Sequence, residues 1–191
     1  SGFGPTQVWL YNPNDGELEV TMETADGGST TVDVPGGGSA LSPIIPDDSG
    51  ARFFSADGRD FFAVTQTDST GFGQFNDWGH PLVPANQLTS QAIIGLGFGN
   101  TDQIFGGNSG DDRSPVWVAA TADETTVNVD YDGDGDVDDT FELDRLESRK
   151  VADEADNDMS GAIIFANDED GEPVDIAVAY GQDPETPASE S

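Results

Sequence analysis

The chain has 191 residues, and its 38 Asp and Glu against six Lys and Arg give a formal net charge of −32. Nucleic acids and anionic membrane surfaces are bound through clustered cations, so this composition argues against both as partners. No apolar run reaches the roughly 18–20 residues that insert across a bilayer, and the absence of cysteine excludes disulfides and thiolate metal ligands.

The charge does not indicate disorder, because the 11 Phe, 3 Trp and 3 Tyr residues lie in periodic apolar runs. We expect a folded halophilic protein. At about 1 M ionic strength the Debye length falls to about 3 Å, which screens the repulsion between surface carboxylates. The alternative interpretation is an acidic, calcium-rich surface domain.

The first predicted unit comprises residues 6–68. Its apolar and polar residues alternate as they do in antiparallel sheets with one buried and one solvent-exposed face. Leu18, Val20 and Met22 show this alternation most clearly. Turn signals rich in Asp and Gly separate the apolar runs. The predicted strands are residues 7–11, 17–23, 30–34, 51–55 and 60–66.

Residues 69–114 form a predicted connecting segment that crosses between the two units. Within it, residues 91–98 (QAIIGLGF) indicate a buried strand, shared by the units, with glycines where another backbone approaches. Five aromatic residues of the segment are predicted to form shared core, with contact to a sugar as the alternative. These are Phe72, Phe75, Trp78, Phe98 and Phe105.

The second predicted unit comprises residues 115–183, followed by a tail of residues 184–191. Residues 143–151 are predicted to form a short helical turn. The predicted strands are residues 116–120, 125–131, 140–143, 162–166 and 174–180.

The second unit repeats several short sequence motifs of the first. Residues 8–10 (VWL) return as 116–118 (VWV), and residues 49–51 (SGA) return as 160–162. A β unit of roughly 60–70 residues rarely buries a full core alone, so two copies would complete each other. We therefore predict an all-β fold of two duplicated antiparallel β-sandwich units joined by a partly shared connecting segment. The recurrence of Trp9 and Trp117 predicts that both lie in the core.

Several short sequence motifs, spread over most of the chain, occur in a recognisable order. They are Val8-Trp9, Asn12-Pro13-Asn14, Asp77-Trp78-Gly79, Leu82-Val83-Pro84-Ala85, Leu88-Thr89, Ser114-Pro115-Val116-Trp117-Val118, Val129-Asp130-Tyr131-Asp132-Gly133-Asp134-Gly135 and Ala177-Val178-Ala179-Tyr180-Gly181-Gln182-Asp183-Pro184. This pattern resembles the N-terminal domain of IgGFc-binding proteins, in an acidic version of the haloarchaeal type. The resemblance implies an all-β extracellular adhesion or scaffold module without catalytic activity, and it provides no binding residues to carry over.

The densest cluster of ligand atoms lies in residues 130–139 (DYDGDGDVDD). Carboxylates at alternate positions around glycines resemble a calcium loop, although Phe141 stands where such a loop places its bidentate acid. The predicted Ca2+ ligands are Asp130, Asp132, Asp134, Asp136 and Asp138. The alternative is a solvated acidic hairpin tip, because the matching segment 21–30 has the same length and few acids. A second acidic stretch, residues 153–158, is a weaker metal candidate.

Catalytic signals are sparse. His80, the single histidine, stands near Asp77 and has the chemistry of a general base, but Gly79 and Pro81 beside it favour packing or capping. No Gly-x-Ser-x-Gly motif occurs, and 38 carboxylates supply pairs at any spacing by chance. The sequence therefore predicts no enzyme, with a polysaccharide hydrolase as the least favoured interpretation.

The function predicted from the sequence is an extracellular structural or adhesive module of a halophile cell surface, assembling into an appendage, filament or layer. Its expected partners are copies of itself or other surface proteins, with glycans as further candidates. Association would proceed by adding a strand to the sheet edge of a neighbour. The alternative is a monomeric secreted module that binds a carbohydrate or a protein.

Overall fold

The structure, a computed structural model, describes residues 6–67, 79–95, 116–155 and 158–180. Its strands all pair antiparallel, which confirms the all-β prediction. The described ranges contain one short helical element, the 3-10 turn Ala85–Gln87, and no helix of the length and apolarity that a membrane span requires. The contacts divide the chain into two compact units, with the boundary in sequence after Val83.

The first unit is a sandwich of two three-stranded sheets. One sheet has the order β4-β1-β6, and the other has the order β3-β2-β5. Both contribute alternate residues to one core, whose fully buried members are Val8, Leu10, Leu18, Val20 and Val34. The strands are β1 (Thr6–Tyr11), β2 (Leu18–Thr24), β3 (Ser29–Val34), β4 (Ser39–Leu41), β5 (Ala51–Phe54) and β6 (Phe62–Thr67).

The second unit has a three-stranded sheet, β11-β8-β13, and a four-stranded sheet, β10-β9-β12-β7. Among the described residues its core is larger, with 14 buried residues against five in the first unit. The strands are β7 (Gln91–Ile93), β8 (Val116–Ala120), β9 (Thr125–Asp130), β10 (Asp139–Leu143), β11 (Ser148–Val151), β12 (Ile163–Asn167) and β13 (Ile176–Tyr180).

The two units have the same strand order, as an internal duplication predicts. Strands β1 to β6 correspond in sequence to β8 to β13, and the orders β4-β1-β6 and β3-β2-β5 recur as β11-β8-β13 and β10-β9-β12. The second unit adds β7 beside β12, where the first unit has no described strand beside β5. Each unit therefore contains the same six-stranded sandwich, and among the described residues only the second unit shows a seventh strand.

The registers define the equivalent residues. Arg52 and Ile163 each follow the repeated SGA motif, and they pair with Glu23 and Asp130, so Glu23 corresponds to Asp130. The pair of Val20 and Val32 therefore corresponds to the pair of Val127 and Phe141.

The next pair toward the turn of the first hairpin is Met22 and Thr30, and seven residues, 23–29, lie between them. Its counterpart in the second unit is Val129 and Asp139, and nine residues, 130–138, lie between them. The expectation of equal hairpin lengths is therefore wrong, because the acidic tip is two residues longer.

The segment predicted to be a helical turn, residues 143–151, contains a tight turn followed by β11. The Glu147 N–H donates to the Asp144 carbonyl at 2.9 Å, and Leu146 adopts a positive φ of 65°. A left-handed residue at this position ends a turn and cannot continue a helix. Gly37 occupies the equivalent place before β4 with a φ of 62°, so both units enter their fourth strand in the same way.

Trp9 and Trp117 do not lie in the core. Successive side chains of a strand point to opposite faces of the sheet, and Val8 and Leu10 fill the interior. Trp9 is consequently 45% exposed, and Trp117, between the buried Val116 and Val118, is half-buried. The recurrence of tryptophan was a correct signal of equivalent positions and a wrong signal of burial.

The described part of the predicted connecting segment divides between the two units. The His80 carbonyl accepts a hydrogen bond from Thr65, and the Leu82 N–H donates to Ala63 in β6 of the first unit. β7 pairs with β12 of the second unit. Residues 69–78, 96–114 and the tail 184–191 lie outside the described residues.

Candidate functional site

The outer face of sheet β4-β1-β6, which we call the aromatic face, consists of Gln7, Trp9, Tyr11, Ser39, Leu41, Phe62 and Val64. Residues two apart on these strands lie on this face because strand side chains alternate. Its three strands contain no charged residue, although Asp, Glu, Lys and Arg make up 23% of the chain. The face is therefore a neutral area on a strongly anionic protein.

The large apolar side chains of the aromatic face are exposed together. Phe62 is 64% exposed, Trp9 45% and Val64 44%. Tyr11 pairs with Phe62 across β1 and β6, and their ring centroids are 6.2 Å apart, within the range of a favourable aromatic pair. Contiguous apolar patches of this kind on soluble proteins commonly mark contact sites.

The equivalent face of the second unit lacks most of these side chains, although Trp117 stands in the place of Trp9. The cross-strand pairs place Ala177 where the first unit has Phe62, Ala179 where it has Val64, and Lys150 where it has Leu41. Tyr11 corresponds to Ala119 in the same registers. The same sandwich thus forms with small or charged residues at four of these positions, so folding alone does not require Tyr11, Leu41, Phe62 or Val64.

The acidic hairpin tip between β9 and β10 is organised by one buried carboxylate. Asp130 is 3% exposed, and its Oδ1 accepts from the Gly133 N–H at 2.7 Å and from the Asp134 N–H at 3.2 Å. Its Oδ2 accepts from the Gly135 N–H at 2.9 Å. Gly133 is required here, because its φ is 71° and an added Cβ would lie 2.9 Å from the Gly161 carbonyl oxygen. The tip therefore has a defined conformation.

Three of the five predicted Ca2+ ligands come together at this tip. Carboxylate oxygens of Asp130, Asp132 and Asp138 lie within 4.8 Å of one another. Asp134 and Asp136 do not belong to this group; the Asp134 Oδ1 instead accepts from the Asp136 N–H at 2.9 Å. The group offers the hard oxygen donors that Ca2+ prefers, from three residues.

The electrostatics of Asp132 reflect this crowding. The hydrogen bond from the Asp134 N–H lowers the pKa of Asp132, but desolvation and the neighbouring carboxylates outweigh it, and the net pKa lies above the ordinary value. A raised pKa means that the folded state favours the protonated form. This contribution to stability is present at low pH and is lost as pH rises through the folded pKa.

His80 is held by Thr65. The His80 N–H donates to Thr65 Oγ1 at 2.9 Å, and His80 Nδ1 lies 3.1 Å from the same hydroxyl. Burial lowers the pKa of His80, which favours its neutral form. These contacts join residues 79–82 to β6, a structural role. Asp77, its predicted acidic neighbour, lies outside the described residues.

The second unit has a depression of about 500 Å³ on its surface. Side chains of both charges line it, including Asp139, Arg149, Lys150 and Glu154. Burial raises the pKa of Tyr131 at its wall, and the charges of Asp139 and Asp153 add to this effect. Since both carboxylates and cations line it, the depression presents no field of one sign for a charged ligand.

The aromatic face was missed by sequence analysis, which placed its aromatic candidates in the connecting segment instead. Phe72, Phe75, Trp78, Phe98 and Phe105 lie outside the described residues. A signal for the face was present in residues 8–11 (VWLY), where no polar residue separates the apolar ones. A sandwich strand that is apolar at every position presents apolar residues to both sides.

No protein-family model, no curated protein and no solved structure matches this chain. The resemblance to the N-terminal domain of IgGFc-binding proteins therefore stays a prediction. Function has to be inferred from the geometry of the two candidate sites.

Proposed function

We propose that the chain is a non-catalytic structural or adhesive β-module of a halophile cell surface, and that it self-associates through the aromatic face. The observation that carries this proposal is the exposure of five large apolar side chains on strands without charge, in a chain with a net charge of −32. Two copies repel over most of their surfaces. The aromatic face is a place where contact separates no carboxylate from water.

The size of the aromatic face sets the strength of the contact. Its exposed apolar side chains present roughly 400–500 Å² in total, judged from the areas that such side chains bury. Two such faces in contact would bury roughly 1,000 Å², the lower limit for a specific protein interface. We therefore expect a weak, concentration-dependent association. Repetition over many copies, as in a layer or filament, would strengthen it through multivalency.

A second protein surface fits the aromatic face better than a sugar. Sugar-binding sites combine aromatic rings with several polar groups that contact hydroxyls. On this face Gln7 Nε2 already donates to the Ser42 carbonyl at 2.7 Å, and Ser39 is the other described polar side chain. Leu41 and Val64 add aliphatic area. The carbohydrate-binding module remains the alternative function.

Phe62→Ala is expected to weaken self-association about tenfold or more, because truncating a central aromatic side chain of an interface typically costs 1–2 kcal/mol or more. The fold should tolerate the change, since the second unit has Ala177 at the equivalent position. Sedimentation velocity in molar salt, over a series of protein concentrations, measures the effect. Ile93→Ala is the matched control, because Ile93 is 69% exposed and lies on β7 of the other unit.

Two results would contradict the proposal. The first is a wild-type protein that stays monomeric at high concentration in molar salt. The second is an equal loss of association in both variants. If the wild type instead binds glycans on an array in molar salt, and Phe62→Ala removes that signal without any change in sedimentation, the carbohydrate-binding alternative replaces the proposal.

We also propose that the carboxylates of Asp130, Asp132 and Asp138 bind a divalent cation, with Ca2+ as the expected ion. The proposal is supported by their mutual distances of less than 4.8 Å. Bringing three carboxylates together in the absence of a cation is unfavourable, as the raised pKa of Asp132 indicates. A bound Ca2+ would relieve that repulsion and hold the tip of the hairpin.

Asp132→Asn is expected to lower Ca2+ affinity about tenfold or more, because it removes one charged ligand of the group. Titration calorimetry of chelator-treated protein measures the affinity. Asp136→Asn is the matched control, since it makes the same charge change in the same loop outside the group. Without Ca2+, Asp132→Asn should raise the unfolding temperature at neutral pH, where the charged form is unfavourable. Equal affinities for both variants would reject the cation site.

A further inference from the structure

The sheet edge of β12 is covered by β7 in the second unit. The Ile94 N–H donates to the Ala162 carbonyl, and the Ala166 N–H donates to the Ser90 carbonyl, both at 2.9 Å. Ile94, at the end of this added strand, is 7% exposed and belongs to the core. The strand thus supplies both backbone hydrogen bonds and a core side chain.

The counterpart edge in the first unit belongs to β5. Ala51, Phe53 and Ser55 correspond to Ala162, Ile164 and Ala166, because Phe53 pairs with Met22 as Ile164 pairs with Val129. No strand lies on the outer side of β5 in the part of the chain that the structure describes. The edge that β7 covers in one unit is therefore without a described partner in the other.

The direction of the backbone groups of β5 follows from β2. The Thr24 N–H donates to the Gly28 carbonyl on the β3 side. Backbone groups of successive strand residues point to opposite sides, so Glu23 faces β5 and bonds its partner Arg52. Ala51 and Phe53, one residue to either side of Arg52, therefore direct their N–H and C=O groups outward.

The core of the first unit is also less completely covered at the edge of β5 than the core of the second unit is at β12. Ala162 and Ile164 are both fully buried beneath the sheet of the second unit. Their counterparts, Ala51 and Phe53, remain partly exposed, although Phe53 packs against the core of the first unit. In the second unit Ile94 lies beside Ala162 in the core, whereas the described residues place no such side chain beside Ala51. This accounts for the difference in exposure.

We propose that the outer edge of β5 accepts an extended strand donated by another protein chain, antiparallel to β5 and equivalent in position to β7. The donor carries an aliphatic residue at the place of Ile94 and a small or apolar residue two positions earlier, at the place of Ala92. This is strand addition at an exposed sheet edge, where main-chain bonds provide affinity and alternate side chains provide specificity.

The β5 strand of a second copy does not fit as the donor. In the antiparallel register centred on Phe53, Ser55 of the copy falls at the place of Ile94 and leaves the core position unfilled. In the register centred on Arg52, Phe53 fills that place, but the two Arg52 side chains lie directly opposite each other, and like charges in that arrangement are destabilising. A strand of different sequence avoids both problems.

Amide hydrogen exchange of the full chain tests the proposal, with a synthetic peptide of residues 88–95 (LTSQAIIG) as the donor. At low protein concentration, the Phe53 amide should exchange about tenfold or more faster than the Ile164 amide, which faces β7. Excess peptide should slow Phe53 exchange at least tenfold. The same peptide with Ala92→Pro should have no effect, because proline has no N–H for the ladder.

A fusion provides a second measurement that does not depend on peptide affinity. Residues 88–95 are placed before the first unit on a flexible linker of about 20 residues, which raises the effective concentration of the donor strand. The fusion should protect the Phe53 amide and raise the unfolding temperature by several degrees, and Ala92→Pro in the added segment should remove both effects.

The proposal is overturned if the Phe53 amide of the free chain is as protected as that of Ile164. It is also overturned if neither the peptide nor the fusion slows Phe53 exchange. Because these measurements use dilute protein, they do not depend on self-association through the aromatic face. The Phe62→Ala variant should retain the full peptide effect, so failure of either proposal is recognised separately.

Discussion

Transfer from molar to millimolar salt is expected to lower the unfolding temperature by on the order of 10 °C or more. The chain carries 38 carboxylates and six Lys or Arg side chains, so cations can neutralise only a small part of its charge. Lowering ionic strength from about 1 M to about 0.01 M lengthens the Debye length from about 3 Å to about 30 Å. Repulsion then acts across each unit, and a few kcal/mol of it shifts the transition by this amount.

Scanning calorimetry over a series of NaCl concentrations measures the salt effect. A non-ionic osmolyte at matched osmolality is the control, because it favours the compact state without screening charge. The first unit should be the more sensitive one, since the described part of its core contains five buried residues against 14 in that of the second. An unfolding temperature that changes by less than a few degrees across the series would contradict the halophilic interpretation.

Asn12→Ala is expected to lower the free energy of unfolding by about 2–4 kcal/mol, because it leaves buried backbone groups without partners. Asn12 is fully buried after β1, and its Nδ2 donates to the Gly16 and Val34 carbonyls at 2.8 and 3.0 Å. Its Oδ1 accepts from the Asn14 N–H at 2.9 Å. The side chain thereby holds the connection from β1 to β2 against the end of β3.

Denaturant unfolding in molar salt measures this loss. Asn128→Ala is the matched control, because Asn128 is on β9 and its described side-chain bond is an exposed one from Thr140 at 3.0 Å. A change below about 0.5 kcal/mol is expected there, as for most surface substitutions. A loss for Asn12→Ala no larger than that of the control would show that the Asn12 bonds do not stabilise the first unit.

Alternation predicts most of these strands because each sandwich strand has one buried and one exposed face. Leu18, Val20 and Met22 are buried along β2, as their spacing indicates. β4 and β11 were missed because strands of three or four residues are too short to show a period. Their place in the sheet is set by pairing with β1 and β8, which is a tertiary contact that local sequence does not contain.

The two candidate sites were accessible from the sequence to different degrees. The acidic tip was located from its composition, but the group of Asp130, Asp132 and Asp138 depends on the way that Asp130 binds the backbone of the loop. The aromatic face depends on which side of β1 faces the core. In a run such as VWLY both sides are apolar, so only the packing of Val8 and Leu10 against β2 decides that Trp9 and Tyr11 face outward.

Sedimentation equilibrium in molar salt, with the aromatic face exchanged for its counterpart, tests the central claim most directly. The exchanged protein carries Tyr11→Ala, Leu41→Lys, Phe62→Ala and Val64→Ala, the residues that the same fold already holds in the second unit. We predict a wild type whose average mass rises with concentration and an exchanged protein that remains a folded monomer throughout. Identical association of both proteins would contradict the claim that this face joins one copy of the chain to the next.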